Sequence, residues 1–142
     1  MMKILIPVDG SANAQRAVDH VIKYISEFKD TPQLLLLNVQ WNMAKGNVKL
    51  FINHETINDF YREQGTAALQ SACAALDAAG LTYQYHISVG TPAEAIVQYA
   101  HEQGADQIVM GRHGQGVMKT MLLGSVVDKV LHLADCPVLL VK

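Results

Sequence analysis

Strand-length apolar runs alternating with helical segments predict an α/β fold: a three-layer sandwich in which a five-stranded parallel sheet carries helices on both faces. Three observations support this. Residues Lys3–Val8 and Gln33–Val39 are almost continuously apolar, as expected of strands buried on both faces of a parallel sheet. Each strand-like run is followed by a segment long enough for a crossover, with helix start and stop signals at its ends. The chain has 142 residues, half of them apolar, which suits one domain spanning residues 1–142.

The first strand ends at Asp9-Gly10-Ser11, where turn residues interrupt the apolar run and Ser11 is placed to cap a helix. Ala14, Ala17, Val18, Val21, Ile22 and Ile25 form the inner stripe of that helix. Pro7 removes a backbone donor near the strand end, where ladder pairing is about to stop. Asp30-Thr31-Pro32 then breaks the chain before the second strand, Leu34 to Val39. Trp41 to Asn53 shows no period and reads as a loop, with Trp41 and Phe51 covering the sheet edge. Glu55–Ala79 is a long alanine-rich helix whose small residues read as packing alone, closed by Gly80 as a left-handed cap.

Leu81 to Val89 alternates, which marks an edge strand. Thr91-Pro92-Ala93-Glu94 has the pattern of a capping box with proline at the first helical position, opening a helix that stops at Gly104. Asp106–Met110 is the fourth strand. Ser125-Val-Val-Asp128 reads as a second capping box, with Val126, Val127, Val130 and Leu131 facing inward, and Pro137–Val141 is the fifth strand.

Charged residues make up 17% of the chain and the formal net charge is −2, a balance that gives no basis for a nucleic-acid partner. No apolar run reaches membrane-span length and no signal-peptide core precedes the first strand, so a soluble, cytoplasmic protein is expected. Cys73 and Cys136 have neither disulfide-framework density nor zinc-ligand spacing. His20, His54, His86, His101 and His132 show no spacing suggestive of a metal site.

Between the fourth strand and the last helix lies Gly111-Arg-His-Gly-Gln-Gly-Val-Met-Lys-Thr-Met-Leu-Leu-Gly-Ser125. A glycine loop entering a helix N-terminus suits an anion, because backbone N–H groups and the positive end of the helix dipole face it. It is not a Walker A loop, since Val117 and Met118 follow Gly116 where Lys and Ser/Thr are required. Nor is it a dinucleotide fingerprint, since Lys119 replaces the final glycine. Gly, two residues, Gly, nine residues and Gly-Ser is instead the spacing of Gly111, Gly114, Gly124 and Ser125. This resembles the nucleotide-binding signature of the universal stress protein family.

The resemblance extends to Pro7-Val8-Asp9 after the first strand and to Cys136–Val141 at the end of the chain. It implies the strand order 3-2-1-4-5, which sets Asp9 and Gly111 across one crevice. It implies further that Pro7, Val8, Asp9, Val39, Met110 and Gly111 line an adenosine pocket. His113, Gly114, Gly124, Ser125 and Val126 would then meet ribose and phosphate. The expected ligand is ATP with Mg²⁺ or Mn²⁺. Arg112 departs from the small residue common in the family, and a long cation there either assists the triphosphate or takes its space. Asp9 also fits the plainer role of a turn aspartate, and Lys119 that of a solvated loop lysine.

No Gly-x-Ser-x-Gly elbow surrounds Ser125 and no residue stands out as a dedicated base, so the reading is a nucleotide-dependent stress-response switch or interaction module, not an enzyme, with hydrolysis slow or absent. Two other readings stay open: a dimeric scaffold that no longer binds nucleotide, and a slow ATPase using the same crevice. A homodimer through the fifth strand is also expected, because Val138–Val141 would be an apolar sheet edge. The protein partners are unknown.

Overall fold

The computed structural model describes residues 1–42, 53–114 and 122–142. The elements run β1 (Lys3–Pro7), α1 (Ala12–Tyr24), a 3₁₀ turn (Ile25–Glu27), β2 (Gln33–Gln40), α2 (His54–Ala78), β3 (Tyr83–Val89), α3 (Pro92–Gln103), β4 (Gln107–Gly111), α4 (Ser125–Leu133) and β5 (Val138–Val141). The five strands form one parallel sheet in the order β3-β2-β1-β4-β5, as the family resemblance implied. Most of the 41–53 loop, with Phe51, and Lys119 lie outside the described residues. Among the described residues no helix is long and apolar enough to cross a membrane.

Strand alternation divides the apolar side chains between two clusters. Ile4, Ile6, Val8, Leu34, Leu36 and Val109 face α1 and α2, whereas Leu5, Leu35, Leu37, Ile108 and Met110 face α3 and α4. The near-continuous apolar runs of β1 and β2 follow from this, since neither face of these central strands meets water. β3 is the edge strand its alternation predicted. α2 lies close against β3: a Cβ on Gly65 would stand 2.7 Å from the Ile87 side chain.

The helix ends agree with the sequence in part. Ser11 caps α1 by accepting from the Ala14 N–H at 3.1 Å. Asn53, read as loop, caps α2 by accepting from the Thr56 N–H at 2.8 Å. Gly80 and Gly104 both have positive φ, 71° and 65°. The two capping boxes do not form as read. Thr91 occupies the N-cap of α3 without a side-chain bond, and the N-cap of α4 is Gly124, with Ser125 as its first helical residue. Pro92 stands at the first helical position, as the sequence predicted.

β1 pairs with β2 as far as Pro7↔Leu37, but with β4 only at Ile4↔Gln107 and Leu5↔Ile108. Successive connections leave in opposite directions on either side of β1, and a crevice opens beyond the carboxyl ends of these strands.

Candidate functional site

That crevice is a cavity of ≈ 720 Å³, within the range of roughly 300–1,000 Å³ usual for small-molecule sites. Pro7, Val8, Asp9, Val39, Met110, Gly111, His113, Gly114, Gly124, Ser125 and Val126 all line it, so the eleven residues assigned to the nucleotide from the sequence meet in one place. Arg112 does not line it. Its half-buried backbone is used elsewhere: the N–H donates to the Val141 carbonyl at 3.3 Å, and the carbonyl accepts from the Gly124 N–H at 2.8 Å. The second bond ties the two ends of the glycine signature together.

The glycines have different physical reasons. At Gly111 a Cβ would stand 2.6 Å from the Asn13 carbonyl oxygen, so only a glycine lets the start of α1 pack on the end of β4. At Gly114 a Cβ would stand 2.6 Å from Asp9 Oδ2. The Asp9 carboxylate therefore lies directly beneath the loop backbone. Its Oδ1 accepts from the Ser11 N–H at 2.9 Å, so Asp9 is a turn aspartate and a cavity residue at once. His113 is 8% exposed, a buried polar side chain within the same wall.

Gly124, the N-cap of α4, has no side chain to accept from the first turn of the helix. Gly124, Ser125, Val126 and Val127 all border the cavity, which brings the N–H groups and positive dipole end of that turn to one side of it. This arrangement suits a phosphate. The lining also includes the apolar side chains of Ala14, Leu37, Val39, Ile96 and Met110. Among the described residues no group of three His, Cys, Asp or Glu is placed to hold a metal ion.

Sequence reasoning missed several lining residues. Asn38 is 2% exposed inside an apolar run; its Nδ2 donates to the Val8 carbonyl at 2.8 Å, and its Oδ1 accepts from Gln40 Nε2 at 2.7 Å. This relay fixes the backbone just before Asp9, and the signal for it was a polar residue in an otherwise leucine-rich strand. Trp41, read as an edge cover, borders the cavity instead. Phe60, Gln64, Ala67 and Ala68 form a cavity wall on α2, which corrects the reading of its alanines as packing alone. No sequence signal separates those two uses of alanine.

The universal stress protein family model matches residues 1–142. The chain belongs to the universal stress protein family. Universal stress protein MJ0531 of Methanocaldococcus jannaschii is 34% identical over 140 residues, covering 99% of this chain and 81% of that protein. Among solved structures, MJ0577, a universal stress protein of the same organism, superposes with a TM-score of 0.84 at 32% identity, covering 99% of this chain and 95% of the other. A universal stress protein from Arabidopsis thaliana with AMP bound shares the fold at a TM-score of 0.69 and 21% identity, covering 100% and 92%. The glycine spacing read from the sequence lies within the residues that the family model matches.

Proposed function

We propose that this universal stress protein binds ATP, together with Mg²⁺ or Mn²⁺, in the cavity at the carboxyl ends of β1, β2 and β4, and that binding acts as a switch of conformation or partner choice in the cytoplasm. The observation that carries the reading is the meeting of Asp9, Gly114 and the first turn of α4, whose glycine N-cap supplies no side-chain acceptor, around one partly apolar cavity. A fold relative that holds AMP supports the adenine part. Pro7, Val8, Asp9, Val39, Met110 and Gly111 take the adenosine end; His113, Gly114, Gly124, Ser125 and Val126 take ribose and phosphate. Bound metal would supply charge neutralisation at the phosphates. Without a dedicated base, turnover is slow or absent, and the protein is not an enzyme in its main role. The working unit is a homodimer joined at β5, a sheet edge that carries the exposed Leu139.

Calorimetry on the wild type and on Asp9→Ala, with adenosine and with ATP, tests the reading. A charged hydrogen bond contributes enough that Asp9→Ala should weaken both ligands by about tenfold or more. A wild type that binds neither ligand, and releases no nucleotide on denaturation as read by mass spectrometry, would sink it.

A further inference from the structure

The cavity has an aromatic rim that the glycine signature does not explain. Trp41, the only tryptophan of the chain, follows β2 and is 64% exposed while bordering the cavity. Phe60 borders it from α2 and is 41% exposed. Neither ring is needed by the core. α2 buries Ile57, Tyr61, Leu69, Ala72 and Leu76, the last three in the core cluster of the sheet, and Phe60 belongs to a second stripe, with Gln64, Ala67 and Ala68, turned to the cavity at helical spacing. Large aromatic side chains left half in water at a cavity mouth gain most from a planar apolar partner.

The position of the rim decides which part of a ligand it meets. Trp41 continues β2 and the glycine signature continues β4, with β1 between them. Adjacent strands stand about 4.8 Å apart, so the two ends of the cavity are separated by roughly 10 Å. The N–H-rich end lies at α4 and the aromatic end at β2 and α2. Gln40 is held at this end by the Gly90 N–H, which donates to its carbonyl at 2.9 Å, so the backbone leading into Trp41 is anchored on the edge strand.

We propose that Trp41 and Phe60 are direct ligand-binding residues that close on a nucleobase from the β2 and α2 walls, so that the site selects ligands carrying an aromatic base over phosphate or sugar phosphate alone. This rests on the nucleotide reading above. Ala67 and Ala68 serve it by keeping the α2 wall low enough for the base to enter.

Because the chain has one tryptophan, its emission reports this residue alone. Adenosine and ATP should each shift the Trp41 emission, whereas inorganic triphosphate and ribose 5-phosphate should leave it unchanged. Trp41→Ala and Phe60→Ala should each weaken adenosine and ATP by about three- to tenfold, and Trp41→Phe should restore most of the loss. Both side chains are exposed, so the variants should fold, and circular dichroism checks this. ATP that binds by calorimetry without changing the emission, with Trp41→Ala and Phe60→Ala binding as the wild type does, overturns the aromatic clasp while leaving the nucleotide site standing. A wild type that binds neither adenosine nor ATP overturns both.

Discussion

Asp9 Oδ2 occupies the place where a side chain on Gly114 would begin, 2.6 Å from the position of its Cβ. The two residues are one device: the absence of a side chain at Gly114 is what lets the carboxylate stand under the loop. Gly114→Ala should push the Asp9 side chain aside at small cost in stability, because the displaced atoms are the far end of a rotatable side chain. It should weaken ATP binding by about fivefold or more, and much less in an Asp9→Ala background, since contacting residues couple by roughly 0.5–3 kcal/mol. A double-mutant cycle by calorimetry checks this; additive losses would show that the two positions act separately.

Gly111→Ala should behave in the opposite way. Its Cβ would meet the Asn13 backbone, at 2.6 Å from the oxygen and 2.7 Å from the carbonyl carbon, and backbone does not rotate aside. We expect a loss of about 1–3 kcal/mol in unfolding free energy, as for other overpacked sites. Urea denaturation of Gly111→Ala and Gly114→Ala side by side reads the contrast; equal stabilities would refute it.

Asn38→Leu keeps the side-chain size but removes the donor to the Val8 carbonyl and the acceptor for Gln40. Leaving a buried carbonyl without this partner should cost about 1–3 kcal/mol. The measurement is thermal or urea unfolding, with Asn38→Asp as a second variant that retains the acceptor and loses the donor. Should both variants match the wild type in stability, the relay carries no weight.

Dimerisation through β5 is best probed at Leu139. Leu140 packs toward the cluster on the α3 and α4 face, so Leu140→Lys would confuse association with folding, whereas Leu139 is 37% exposed. Light scattering at micromolar concentration should give a dimer for the wild type and a monomer for Leu139→Lys. A wild-type monomer, or a Leu139→Lys protein that stays dimeric, would rule out this edge.

The central strands were legible because Leu34 to Leu37 and Ile4 to Ile6 are buried on both faces, and periodicity reports burial directly, whereas their order along the sheet followed from the family resemblance and not from periodicity. The cavity residues were legible where glycine has a steric cause, as at Gly111 and Gly114. What stayed hidden depends on neighbours distant in the chain. Gly65 is glycine because of Ile87, and Ala67 and Ala68 turn to a cavity while Ala72 turns to the core, yet all of them follow the same helical spacing. Ser125 was read as a cap one residue too far along, since its pairing with Asp128 matches the capping pattern while Gly124 already supplies the extended conformation, φ −72° and ψ 159°.

The sheet separates the two apolar clusters, yet the cavity draws Val8 and Ala14 from one and Leu37, Ile96, Met110 and Val127 from the other. A molecule seated there is a keystone between halves that otherwise communicate only through the strands. Ligand that binds the native state alone raises its stability by mass action. Here that gain is shared by both sides of the sheet, so amide exchange should slow on α1 and on α4 together, and a partner that senses either helix senses the same occupancy.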